Sequence, residues 1–295
     1  MRVLMSGASG LLGTAISRTF AAEGTTVTRL VRASATGENQ IPWKAGKPLT
    51  LPSDFDAVIH LAGESVVGRW TAAKKARIRD SRVLGTQTLT DAVTRMATKP
   101  GVIVAASAIG FYGDRGDEVL NESSASGTGF LAEVCREWEA ASEPIQQAGV
   151  RLVHLRIGVV LSPHGGALGK MLLPYRLGLG GRLGSGKQWL SWIHVDDITG
   201  AVRHVLGNES IRGAVNLVGP NPVTNAEFSA ALGKALSRPA ILPAPVFALR
   251  LALGEMADEA LLASQRVLPD QLLASRYRFR FPELGAALQS IVAKS

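Results

Sequence analysis

The start of this chain constrains its fold more than any other feature. The apolar run Val3-Leu4-Met5 leads straight into Gly7, Gly10 and Gly13, and helical periodicity follows through Leu12, Ala15, Ile16, Thr19 and Phe20. Read physically, this is a buried strand, a tight glycine turn and a helix N-terminus. Gly7 turns the chain off the strand, Gly10 lets backbone approach a pyrophosphate, and Gly13 lets the helix pack on the sheet. The first helical N–H groups, backed by the helix dipole, then face an anion. Three glycines alone would also serve a plain turn. Their place between strand and helix points to a dinucleotide loop running through Ser9, Leu11 and Leu12.

The rest of the chain repeats that rhythm. Thr26–Val31, Asp56–Ala62, Val102–Ala106, Val150–Ile157 and Ala214–Val218 read as strands, and Thr71–Ala97 and Phe130–Gln147 as helices. Apolar runs without polar alternation suit parallel strands covered on both faces. The expected fold class is α/β, a Rossmann-type doubly wound parallel sheet with a smaller, mostly helical C-terminal substrate lobe. Gly165–Gly186 is glycine-rich and interrupts the alternation. A helix pattern starts at Asp196, and Thr224 with Glu227 three residues on reads as a capping box. The expected division is 1–160 plus about 187–220 for the nucleotide-binding domain. Residues 161–186 and 221–295 would form the smaller lobe, with a substrate cleft between the two beyond the strand ends.

Composition narrows the partners. With 295 residues, 46% of them hydrophobic and only 19% charged, the chain has ample core and no disordered character. Cys135 is the single cysteine, so neither an intrachain disulfide nor a cysteine metal cluster can form, which fits a cytoplasmic location. No apolar run approaches the ~18 residues of a membrane span, and the N-terminal segment reads as strand rather than signal peptide. A membrane partner is not expected. The net charge of +8 invites a nucleic-acid reading, but the basic residues are spread out with few aromatics between them. No nucleic acid is expected either; the charge suits an anionic cofactor or substrate.

The end of the second strand selects between the nicotinamide dinucleotides. An acid there would bond the ribose 2′-OH and repel a 2′-phosphate. The segment reads Leu30-Val31-Arg32-Ala33-Ser34, with no acid, and Arg32 stands 19 residues past Gly13. A guanidinium suits a phosphate, so the expected cofactor is NADP(H). The competing reading makes Arg32 a solvated loop residue, with the acid supplied elsewhere.

Several motifs together resemble extended short-chain dehydrogenases/reductases, the NAD-dependent epimerase/dehydratase family. They are Gly7–Gly13, Asp56–Gly63 (DAVIHLAG), Ser81–Thr86 (SRVLGT), Ser107–Gly113 (SAIGFYG) and Trp192–Asp197 (WIHVDD). The run Met171–Gly181 (MLLPYRLGLGG) and the segment Phe281–Leu288 are similar to an atypical branch of it, the "epimerase family protein" group with its own C-terminal domain of unknown function. The resemblance implies cofactor contacts from Gly7, Ser9, Gly10, Leu11, Leu12, Gly13, Arg32, Leu61, Ala62, Gly63, Arg77, Arg82 and Val160. It also places substrate contacts near Trp192 and His194. No metal is expected, since Asp196 and Asp197 opening a helix read as an N-cap with favourable dipole charge.

The family's catalytic pair is a Tyr with a Lys four residues later, the Lys lowering the Tyr pKa and holding the nicotinamide ribose. Here the corresponding helix runs Phe130-Leu131-Ala132-Glu133-Val134-Cys135-Arg136-Glu137-Trp138-Glu139. With Glu139 as the trailing acid, Leu131 and Cys135 occupy the Tyr and Lys positions. The best relocated candidates are Tyr112 as acid and Ser107 as hydrogen-bond partner of a substrate oxygen. Each also has a structural reading, Tyr112 as a packing residue and Ser107 as a strand-end residue beside the cofactor. Two functions follow. One is an NADP(H)-dependent oxidoreductase or epimerase acting on a small carbonyl or sugar-like molecule. The other is a catalytically silent NADP(H)-binding sensor or scaffold.

Overall fold

The structure is a computed structural model that describes residues 1–32, 34–52 and 54–293. Its centre is a parallel sheet of seven strands. These are β1 (Arg2–Ser6), β2 (Thr26–Val31), β3 (Gln40–Pro42), β4 (Ala57–His60), β5 (Val102–Ala108), β6 (Arg151–Ile157) and β7 (Gly213–Leu217). Their order across the sheet is β7-β6-β5-β4-β1-β2-β3. The strand order reverses beside β1, so a crevice opens at its carboxyl end.

The burial pattern explains the unbroken apolar runs. Val3 and Met5 of β1, Ala57 and Ile59 of β4, and Val102 and Val104 of β5 enter one core with Ile16 and Phe20 of α1 (Leu11–Ala22). Leu4, Val58 and Ile103, the intervening residues, enter a second core with Leu89 and Val93 of α2 (Ala72–Thr94). β1, β4 and β5 are therefore buried on both faces, and period-2 alternation of polarity has no place in them.

Two expected elements are corrected. Phe130–Gln147 is two helices, α3 (Phe130–Ala140) and α4 (Glu143–Gln147), broken before Pro144. The glycine-rich interval contains a helix, α5 (Gly166–Arg176), whose Leu168, Leu172 and Tyr175 form a buried stripe at i, i+4 and i+7. Beyond α6 (Val195–Gly207), the chain builds a helical region of α7 (Asn225–Leu236), α8 (Val246–Leu253), α9 (Asp270–Ala274) and α10 (Leu284–Val292). α7 carries the expected capping box: Thr224 accepts from Glu227 N, and the Glu227 side chain accepts from Thr224 N. The third core joins α5, α7 and α10 around Trp192, Phe228 and Leu288.

Candidate cofactor and active site

Two loops meet at the ends of β1 and β4. Gly7 has φ +69° and faces the Leu61–Ala62 peptide so closely that a Cβ would lie 2.7 Å from the Leu61 carbonyl carbon. A Cβ on Gly13 would lie 2.2 Å from Gly7 O. Gly10 is the N-cap of α1; no side chain caps that helix and its first turn holds no acid. The Leu11, Leu12 and Gly13 N–H groups are those a helix leaves without an internal partner. No side chain occupies the cap position of this helix, so the residues fit a dinucleotide diphosphate at this turn.

A buried polar network, absent from the sequence-based site, fixes this junction. Ser6 Oγ accepts from Leu61 N and Ala62 N, both at 3.2 Å. Its own proton goes to His60 Nδ1, 2.6 Å away, which leaves the His60 Nε2 proton for Thr86 Oγ1 at 3.1 Å. Burial lowers the His60 pKa to about 4, so the ring is neutral at pH 7. Polar side chains ending two apolar runs, Ser6 and His60, are the hint the sequence holds.

On the β2 side, Arg32 is exposed just past the strand end. β1 and β2 pair Ser6 with Leu30, which places Arg32 beside the glycine turn. Glu64 is the acid of this corner, and Lys74 Nζ holds its carboxylate at 2.7 Å, with Arg77 Nε at 3.9 Å. The Lys74 hydrogen bond and the charges of Lys74, Arg77 and Arg32 lower the Glu64 pKa. The corner thus carries three cations around one ionised, already engaged carboxylate. Arg82 is turned inward. Its Nη1 donates to Glu64 O and Ile78 O, both at 3.0 Å, and its guanidinium lies over the Trp138 ring at 5.0 Å. It braces the Gly63–Glu64 backbone that lines the groove.

Val160 belongs to a short strand, Val159–Leu161, paired with Trp192–His194. The loop after it returns to the glycine turn: a Cβ on Gly166 would lie 3.2 Å from Leu11 Cδ2 and 3.7 Å from Val160 O. A cavity of about 610 Å³ opens there, with Ser9, Gly10, Leu11, Gly165 and Gly166 in its wall.

The nicotinamide side, beyond β5, differs from the sequence expectation. Tyr112 has no exposed surface. Its hydroxyl donates to Asn216 Oδ1 at 2.7 Å and accepts from Arg156 Nη1 at 3.0 Å. Burial raises its pKa. As a correction, this phenol is a core residue with no face toward a substrate: the short turn Ile109–Tyr112 folds it back into a cluster with Leu120 and Val267. Ser107 is 2% exposed, and its Oγ donates to Glu139 Oε1 at 2.6 Å. Arg156 grips the same carboxylate through Nε at 3.0 Å and Nη2 at 2.9 Å. Burial pushes Glu139 up, but Arg156 and the Ser107 hydroxyl outweigh it and hold the pKa below its ordinary value. Ser107 therefore directs its proton inward. Leu131 packs with Trp70, Phe130 and Met256, and burial raises the Cys135 thiol to about 11. Neither position offers a titrating group near neutral pH.

The other candidates settle into the frame. Trp192 is fully buried and donates from Nε1 to Asn221 O at 3.0 Å. His194, rather than the aspartates, caps α6 by accepting from Asp196 N, while buried Asp197 accepts from Arg280 N and Phe281 N. Among the described residues no group of three or more His, Cys, Asp or Glu is placed to hold a metal.

A seven-stranded parallel sheet of this order, with a backbone cradle at its switch point, defines a Rossmann-type dinucleotide-binding protein. Residues 3–218 match the NAD dependent epimerase/dehydratase family, and 244–291 match a domain of unknown function, DUF1731. The chain belongs to that family, as an atypical short-chain dehydrogenase/reductase. It is 42% identical over 291 residues to Epimerase family protein Mb2239 of Mycobacterium bovis, covering 97% of this chain and 96% of the relative. It is 39% identical over 297 residues to the human epimerase family protein SDR39U1, covering 99% and 100%. The crystal structure of human SDR39U1 (isoform2) with NADPH superposes with a TM-score of 0.94 at 37% identity, covering all of both chains.

Proposed function

We propose that this chain binds NADP(H) and holds it as a sensor or scaffold protein, without the family's proton-coupled hydride exchange at an alcohol carbon. The observation that carries this reading is the commitment of Ser107, Tyr112 and Glu139 to internal hydrogen bonds. Leu131 and Cys135 replace the acid and its cation, Ser107 donates inward, and Tyr112 is buried. The preference for NADP(H) rests on Arg32 and Arg77, with Glu64 already engaged by Lys74. The human relative crystallised with NADPH supports it. A cytoplasmic location remains our reading of the single buried thiol.

An oxidoreductase or epimerase has one observation in its favour. Ser107 lies at the carboxyl end of β5 against an ionised carboxylate, an arrangement that could accept a proton from a substrate hydroxyl. One experiment separates the two. The purified chain is given NADPH with a panel of aldehydes, quinones and sugar nucleotides while reduced-nicotinamide absorbance is followed. Tight NADPH binding without turnover is the expected result. Turnover that Ser107→Ala abolishes, with NADPH affinity unchanged, would establish the enzyme instead.

A further inference from the structure

The helical lobe carries an apolar face that the cofactor reading does not use. Seven of its large apolar side chains are between 49% and 79% exposed. Leu173 lies on α5, with Leu177 and Leu179 in the loop after it. Ile241 and Leu242 occupy the loop before α8, and Phe247 and Leu251 stand one turn apart on α8. The two loops are zipped together: Arg238 Nε donates to Arg176 O at 3.0 Å, Leu242 N to Gly180 O at 3.1 Å and Ala244 N to Arg182 O at 2.9 Å. The loops that carry Leu177, Leu179, Ile241 and Leu242 therefore lie side by side, between α5 with Leu173 and α8 with Phe247 and Leu251. α8, with the sequence VFALRLAL, has no buried residue.

The charge on this patch is predominantly positive. Segments 163–195 and 228–254, which build it, contain no Asp or Glu. Lys170, three residues before Leu173 on α5, is exposed, as are Arg176 and Arg238. Among the described residues no carboxylate pairs with these three. Arg250 is the exception on α8, bridged to Asp258 at 2.9 Å. Apolar tips set among unpaired cations complement a surface that is apolar within and anionic outside.

We infer that this face docks the protein on an anionic lipid surface. A second copy of the chain fits poorly, because a two-fold contact would set Lys170, Arg176 and Arg238 against their own equivalents. A protein partner normally offers or receives anchors in concave pockets. The cavities of about 610 and 350 Å³ are lined by none of the seven apolar residues. Protruding tips suit a fluid layer, which needs no matching shape. The expectation of no membrane partner rests on the lack of an apolar span and of a signal peptide, and interfacial docking needs neither.

The test is flotation of the full chain with vesicles of equimolar phosphatidylcholine and phosphatidylglycerol, and with phosphatidylcholine alone. Binding is expected to the anionic vesicles, at least about tenfold weaker to the neutral ones and weakened by salt. The double variant Phe247→Ser/Leu251→Ser and the variant Arg176→Glu/Arg238→Glu should each lose about tenfold or more in binding. NADPH affinity and thermal midpoint, expected to match the wild type, show that both variants are folded. Failure of the wild type to bind anionic vesicles overturns the inference. So does equal binding by the variants, or a wild-type dimer that the Phe247/Leu251 variant dissolves without any vesicle binding.

Discussion

His60 shows how one buried side chain organises the cofactor loop. Its neutral ring takes a proton from Ser6 and gives one to Thr86, and Ser6 in turn holds two amides of the β4 loop. Because its folded pKa of about 4 lies below the ordinary value of 6.5, the unfolded chain binds this proton first as pH falls. Stability from this site is therefore complete above pH 6.5 and declines between 6.5 and 4, by about 3 kcal/mol in all. Denaturant titrations of wild type and His60→Asn across that window should show a steeper acid loss for the wild type; parallel pH profiles would refute the assignment. Gly13 gives a second residue-scale expectation. A Cβ there meets backbone at 2.2 Å, not a flexible side chain. Gly13→Ala should cost about 1–3 kcal/mol of stability, read by thermal or denaturant unfolding, and weaken NADPH binding with it. An unfolding midpoint unchanged from the wild type would show that the turn tolerates the methyl group.

At the scale of elements, the segment after α8 is latched onto the nucleotide-binding half. The Glu259 carboxylate accepts from Phe130 N and Leu131 N, both at 2.8 Å, at the N-terminus of α3. Arg69 Nη1 donates to Leu251 O at 2.7 Å, and Lys75 pairs with Glu255 at 2.8 Å. Met256 and Leu253 fill the apolar space against Trp70 and Ile78. Glu259→Gln removes the charge from the helix end and leaves one acceptor oxygen for two N–H groups. It should cost about 1 kcal/mol and speed hydrogen exchange across residues 246–262; unchanged exchange there would mean the latch contributes nothing.

Legibility varied with the range of the cause. Thr26–Val31 and the Thr224–Glu227 box were readable because each is set by neighbours a few residues away. α5 was hidden because its glycines obscured a stripe whose burial depends on α7 and α10. Glu259 could not be found from spacing, since 128 residues separate it from the Leu131 amide it receives. Between the acid and packing readings of Tyr112 the sequence cannot choose, because Asn216 and Arg156, which engage its hydroxyl, come from distant strands.

Across the whole molecule, the two ends of the site have diverged. On our proposal, the glycine turn and the cationic corner at Arg32 form the phosphate-binding frame. The opposite end carries Leu131 and Cys135, neither of which titrates near neutral pH, and the Ser107 and Tyr112 hydroxyls there make internal hydrogen bonds. The most direct test of that division is calorimetric titration of NADPH and NADH into the wild type, Arg32→Asp and Tyr112→Phe. NADPH should bind the wild type about ten- to a hundredfold more tightly than NADH, as befits one Arg–phosphate contact. Arg32→Asp should erase that ratio, and Tyr112→Phe should leave NADPH affinity unchanged while lowering stability. An unchanged NADPH-to-NADH ratio in Arg32→Asp would contradict the account.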